Sequence, residues 1–266
     1  MAQQNKYFPL HYFIYGPPGT FKTTLVSTFP KPMKVLFMDA FSKDIPYLKR
    51  GTPTEDKIGE DNVLFREVVN QKGQTLISID YIHENNPDEP IAYDVFVERL
   101  KLAAKEQYKT IVVDSFTSLQ YATELKAESL PHQDDDGWFV PRKSKEFLQR
   151  LTRSIFPAIS TNLVIIGHVT KERFTDKTGK NDSVISFLFT PAAPGTLKED
   201  IPRIFPEVYV TRAIKDGQEK KIVLQTHIDS KYVACTQINA PDLELEMDEK
   251  GQLNYSYKDL WLNVEE

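Results

Sequence analysis

The sequence predicts an α/β fold in which a mostly parallel central sheet carries helices on both faces. Three observations predict it. Residues 10–15, 34–39, 110–115 and 162–168 are short and apolar on both strand faces, as strands buried between two layers are. Helical patterns at 93–104, 118–129 and 143–159 lie between or around them. Each apolar run ends on a residue suited to a site: Gly16, Asp39, Asp114 and His168. In sheets of this class the ligand sits outside the carboxyl ends of the strands.

The first run leads into Gly16-Pro17-Pro18-Gly19-Thr20-Phe21-Lys22-Thr23-Thr24, followed by a short helix that Pro30 and Pro32 end. Strand, loop, Lys-Thr-Thr and helix in this order read as a phosphate-binding loop, with backbone N–H groups folded around phosphate oxygens at a helix N-terminus. Lys22 would reach the β- and γ-phosphates, and the Thr23 hydroxyl would ligate Mg²⁺. The pattern G-x-x-x-x-G-K-[ST] asks for glycine where this chain has Phe21. The ring is expected to lie outside the loop, against apolar neighbours.

Residues 40–59 carry Gly and Pro punctuation and read as loop with at most a short helix; 63–69 suits a strand or a short helix, and 75–80 alternates as a strand. Residues 131–137 form an acidic loop, 170–182 a charged loop, and 184–189 a further alternating segment. A helix over 197–205 is expected to break at Pro202. Residues 207–211, 221–225 and 232–235 read as a closing set of strands, a C-terminal antiparallel extension. Residues 1–240 are taken as one domain and 241–266 as an acidic tail whose cluster Tyr255, Tyr257, Leu260, Trp261 and Leu262 packs back on it.

Asp114 is the candidate Mg²⁺ carboxylate opposite Thr23; the alternative is a helix N-cap. Asp39 serves either to position an attacking water or as an N-cap. His168 either senses the γ-phosphate or is a structural strand-end histidine. His11, His83, His132 and His227 show no metal-ligand spacing.

At 266 residues and 40% hydrophobic content the chain can bury a sizeable core. A net charge of −5 argues against a generally basic nucleic-acid-binding module, though not against local basic loops. Cys235 stands alone, so no disulfide framework forms, and a reducing cytoplasm is the expected setting. Neither a signal peptide nor an apolar run of membrane-spanning length is legible.

Ile111-Val112-Val113-Asp114-Ser115 resembles the Walker B strand of RecA. Gly167-His168-Val169-Thr170-Lys171 is similar to the segment after the sensor strand of RadA-type ATPases. Phe37-Met38-Asp39-Ala40 resembles the strand before RecA's catalytic glutamate. With residues 16–24, these resemble the short RecA/RadA-like ATPases encoded by phages, of the Sak type that assists single-strand annealing in recombination. The resemblance implies a RecA-like P-loop NTPase core, ATP and Mg²⁺ as cofactors, and a homo-oligomer acting on single-stranded DNA beside a single-strand-binding protein. It also implies a DNA-binding loop, here carrying Lys171, Arg173, Phe174, Lys177 and Lys180; a solvated surface loop is the other reading. Trp138 and Phe139, with Arg142, Lys143 and Lys145, suit a second DNA contact or core aromatics at a helix start. Three departures stand out. Phe41 and Ser115 occupy the two positions where the family places its glutamate, and Cys235-Thr236-Gln237 replaces its Lys-x-Arg. Nucleotide binding with slow hydrolysis is therefore expected; a non-hydrolysing structural or regulatory partner is the alternative.

Overall fold

The computed structural model describes residues 10–39, 44–59, 63–131, 137–176, 183–195, 197–216 and 219–260. In chain order its strands and α-helices are β1 (His11–Tyr15), α1 (Lys22–Val26), β2 (Met33–Phe37), β3 (Thr52–Pro53), β4 (Lys57–Ile58), β5 (Leu64–Val69), β6 (Thr75–Tyr81), α2 (Ala92–Ala103), β7 (Thr110–Asp114), α3 (Phe116–Glu128), α4 (Phe139–Arg150), β8 (Asn162–Gly167), β9 (Val169–Asp176), β10 (Ser183–Pro191), α5 (Leu197–Ile204), β11 (Glu207–Asp216), β12 (Glu219–Gln225) and β13 (Leu243–Leu245).

The main sheet runs β13-β12-β11-β1-β8-β7-β2-β6-β5-β3, with β4 also paired to β5. From β11 through β1, β8, β7 and β2 to β6, every neighbouring pair is parallel. Antiparallel strands flank this block at both ends: β12 and β13 on one side, β5, β3 and β4 on the other. The expected C-terminal antiparallel extension is there. The second antiparallel edge, built from residues between β2 and β6, was not expected.

Alternation along the central strands divides the core. Phe13 and Tyr15 of β1 join one cluster with Phe96, Leu100, Phe116 and Leu148, the buried residues of α2, α3 and α4. Tyr12 and Ile14 join the other, with Leu25 and Val26 of α1 and Tyr47 of the 3₁₀ turn Pro46–Arg50. Tyr257 and Leu260 are buried in this second cluster, where the Tyr257 ring stands 4.5 Å from that of Phe29. The Tyr257 N–H donates to Thr28 Oγ1 at 2.8 Å. Trp261 and Leu262 lie outside the described residues.

Three expectations are corrected. The charged stretch after His168 is no loop: β9 pairs antiparallel with β10 as a separate two-stranded sheet, with a register shift between Val184 and Ser186. The hairpin meets the core at its base, where Val169 packs against the first cluster and Thr190 is buried, and the charges of Lys171, Glu172 and Arg173 disguised the strand. Residues 232–235 form no strand: Tyr232 and Cys235 sit in isolated bridges, Cys235 opposite Val208. Their apolar character has another cause: Tyr232 and Cys235 pack against, and Ala234 within, the α2–α4 core, and the Tyr15 hydroxyl donates to Val233 O at 2.6 Å. Elsewhere α4 passes into a π-helical turn at Leu151–Ile155 and a 3₁₀ turn at Phe156–Ala158, where Pro157 stops the helix. Pro202 lies inside α5 without breaking it.

Candidate functional site

Parallel register fixes the site. Phe37 and Ile166 flank Asp114 across β2 and β8, and Tyr15 is opposite Gly167. Gly16, Asp39, Asp114 and His168 thus lie at the carboxyl ends of four adjacent strands, β1, β2, β7 and β8. All four come together at one edge.

The loop after β1 turns sharply because Gly16 packs on β11. A Cβ there would meet Thr211 O at 2.2 Å, and the backbone has φ +155°. Thr20 closes the turn, its hydroxyl within hydrogen-bond distance of Pro17 O, 2.7 Å, and Thr211 Oγ1, 2.6 Å. Pro18 and Gly19 form the exposed tip. Phe21, the N-cap of α1, adopts left-handed φ 62° and ψ 15°, which explains why glycine is favoured at this position. Its ring packs against the second core, outside the loop as expected.

Lys22 lies buried beneath the loop, Nζ donating to Gly16 O at 2.9 Å and Pro17 O at 2.8 Å. Burial lowers its pKa to about 8, against the pull of Asp114 and Asp39. The Thr23 hydroxyl donates to Asp114 Oδ2 at 3.2 Å, so Thr23 and Asp114 face each other as the sequence suggested. Thr24 is buried on the far flank of α1, its carbonyl accepting from Arg50 Nη2 at 3.2 Å. Lys31 Nζ also donates to carbonyls at this end, Ser27 O at 3.0 Å. A helix of five residues thus has its negative end answered by two cations.

Asp114 is buried at the end of β7. It is not a helix cap: Ser115 caps α3, accepting from Ser118 N–H at 3.3 Å. Burial first, and Asp39 second, raise the Asp114 pKa to about 7; hydrogen bonds from Tyr47 and Thr23, and the Lys22 charge, oppose the rise. Asp39 Oδ1 accepts from the hydroxyls of Ser115 and Ser118, each at 2.6 Å. This carboxylate is tied to the start of α3, a role neither sequence reading offered. His168 is half-buried. Burial and then the nearby Lys22 charge depress its pKa, while Asp39 and a hydrogen bond to the Gly16 backbone pull upward. The imidazole therefore sits against the phosphate loop.

Sequence reasoning missed Tyr47. Its hydroxyl donates to Asp114 Oδ2 at 3.1 Å, and burial holds its pKa well above the usual phenol value, so it stays a donor. It falls in the stretch read as loop, and a lone tyrosine carries no motif.

Of the basic positions after His168, Lys171 is exposed on β9, while Arg173 pairs with Phe187 and Phe174 with Ser186 across the hairpin. Lys177, Lys180 and Phe41 lie outside the described residues. Trp138 is exposed at the start of α4, with Arg142 over the Phe139 ring at 6.0 Å, so the alternative of a core aromatic fails for Trp138. Among the described residues, no cluster of His, Cys, Asp and Glu suits a metal, and no helix is long and apolar enough to cross a membrane.

A hydroxyl and a carboxylate facing each other beside a buried lysine offer the hard oxygen donors Mg²⁺ prefers, and a cation for phosphate. The residues present therefore fit a magnesium–nucleotide. Among solved structures the chain is similar to a KaiC-like protein from the hyperthermophilic archaeon Pyrococcus horikoshii OT3, at 14% identity, a TM-score of 0.48, and coverage of 93% of this chain and 91% of that one. No curated protein matches it. The model of the AAA domain family matches residues 9–236, nearly the whole sheet and the entire strand-end cleft, and the chain belongs to that family.

Proposed function

We propose that this chain binds ATP with Mg²⁺ at the strand-end cleft, hydrolyses it slowly, and acts on single-stranded DNA in phage recombination or annealing, in the manner of the Sak-type ATPases it resembles. The observation that carries the reading is the Thr23–Asp114 pair at 3.2 Å beside buried Lys22. Thr23 and Asp114 would hold a magnesium ion, directly or through water, and the ion would supply charge neutralisation to the phosphates. Lys22 leaves its carbonyl partners for the phosphates, and the loop N–H groups at the start of α1 bind phosphate oxygens. His168 touches the loop at Gly16 and is followed at once by β9, so a change at the γ-phosphate has a short covalent path to the hairpin. Lys171, Arg173, Phe174, Lys177 and Lys180 are the residues assigned to DNA there. The setting is a host cytoplasm, the working form a homo-oligomer, and the partner a single-strand-binding protein.

A second reading has an observation in its favour. Asp39 is engaged by two serine hydroxyls, and Ser115, which stands where a glutamate could act, is one of them. Without a free carboxylate to orient water, the chain would bind nucleotide and serve as a structural or regulatory partner in a phage replication complex. ATP turnover with and without single-stranded DNA separates the two: DNA-stimulated turnover supports the first, tight binding with none the second. Lys22→Ala should lower ATP affinity roughly 100-fold, as loss of charge-assisted bonds to two phosphates demands. Unchanged affinity would overturn both.

A further inference from the structure

The carboxylate assigned to magnesium is gripped from a second side. Tyr47 is fully buried in the turn Pro46–Arg50, and its hydroxyl donates to Asp114 Oδ2, the same oxygen that receives the Thr23 hydroxyl. At the far end of that turn, Arg50 Nε donates to Ser27 Oγ at 2.8 Å, and Arg50 Nη2 reaches Thr24 O. One short turn therefore touches the end of β7 with its second residue and the phosphate-loop helix with its last. Thr23 and Asp114 belong to those two separate elements, and a metal site needs their separation and orientation fixed. The ring packs among apolar residues of the second core, where a phenylalanine would fill the same space. Packing alone does not call for the hydroxyl.

We infer that Tyr47 is a positioning residue for the metal site: its hydroxyl fixes the Asp114 carboxylate in the orientation that receives the magnesium of a bound nucleotide. The assignment rests on the nucleotide-binding reading above. Carboxylates that ligate metals are commonly oriented by such outer partners, whose loss costs roughly 10- to 100-fold in metal affinity.

The test is calorimetric titration of the full chain with ATP, in EDTA and in Mg²⁺, for the parent, Tyr47→Phe and Tyr47→Leu. The quantity read is the gain in ATP affinity that Mg²⁺ confers. Tyr47→Phe should leave the affinity in EDTA unchanged and cut the Mg²⁺-dependent gain roughly tenfold; Tyr47→Leu should cut the gain at least as far. A packing role predicts instead that Phe behaves as the parent and Leu alone is impaired, and that result overturns the assignment while leaving nucleotide binding intact. A parent that binds no ATP overturns the assignment and the reading beneath it together. Should Tyr47→Phe fail to fold alone, it is tested on Asp114→Ala. In that background the hydroxyl has no carboxylate to orient, and removing it should not change the residual Mg²⁺ gain; a further tenfold loss there would refute the proposal.

Discussion

The strand-end cleft and the β9–β10 hairpin begin one residue apart, at His168 and Val169, yet they are held by different means. The cleft rests on strands paired on both sides and covered by a core on each face, so its geometry is set by the whole domain. The hairpin pairs only with itself, and a two-stranded ribbon has little stability of its own. Substitutions in the two regions should therefore be felt differently. Changes at the cleft should alter folding and nucleotide chemistry together. Changes on the hairpin should alter a surface function and leave the fold alone.

The largest effect is expected from Gly16→Ala. The added methyl would meet the Thr211 carbonyl oxygen at 2.2 Å, and that backbone conformation is one alanine rarely takes. Crowding against a strand backbone and strain should together cost about 3 kcal/mol or more. Urea unfolding reads the loss, and a variant as stable as the parent would mean the loop is not anchored on β11.

Next comes Asp114→Asn. The folded pKa of Asp114, about 7, lies above the carboxylate's ordinary 3.8. The folded state therefore holds this proton more tightly than the unfolded state between those values. Stability from this group is fully present below about pH 4 and is lost as pH rises through about 7. Asparagine, uncharged at every pH and still able to accept from Thr23 and Tyr47, should flatten that decline. In metal-free buffer at pH 8 it should be more stable than the parent by roughly 2 kcal/mol. A parallel pH dependence in both proteins would show that Asp114 is solvated and not the buried acid described here.

On the hairpin, the proposed DNA role predicts that Arg173→Ala weakens single-stranded DNA binding severalfold and lowers its salt dependence, while unfolding free energy stays within about 0.5 kcal/mol of the parent. Fluorescence anisotropy at two salt concentrations, together with melting, checks both halves. A stability loss of cleft-like size would erase the distinction between the two regions.

How much of this could be read in the sequence follows the same division. Strands buried on both faces leave unbroken apolar runs, and the residue after each run marks the ligand edge; hence Gly16, Asp39, Asp114 and His168 were legible, as was the order of the central strands and of the helices between them. Features made by long-range contact were not. Tyr47 reaches Asp114 across 67 positions of sequence and has no pattern of its own. Asp39 read as a water-positioning carboxylate or an N-cap because nothing local reveals the two serines that bind it. The β9 strand carries Lys171, Glu172 and Arg173 in a row, a composition that signals solvent rather than pairing. At 232–235 the apolar signal was real, and the inference of a strand failed because burial there comes from covering a core and not from a ladder.

The smallest effect is expected at Phe21, and it tests how far the cleft tolerates a departure from its pattern. Phe21 holds a left-handed conformation that costs a non-glycine residue roughly 1–2 kcal/mol. Glycine would release that strain. It would also give up the ring's packing against the second core and raise the entropy of the unfolded chain by about 1 kcal/mol. These terms oppose one another, so Phe21→Gly should change stability by no more than about 1 kcal/mol. Nucleotide affinity should hold or rise slightly, because the N–H groups at the start of α1 keep their direction and the ring lies outside the loop. The proposed slow turnover should be unaffected, since Phe21 has no part in orienting water. Chemical unfolding and calorimetry with ATP measure the first two quantities. A tenfold fall in affinity would show that the ring shapes the phosphate site directly, and the cleft would then owe its geometry to this side chain as well as to the sheet beneath it.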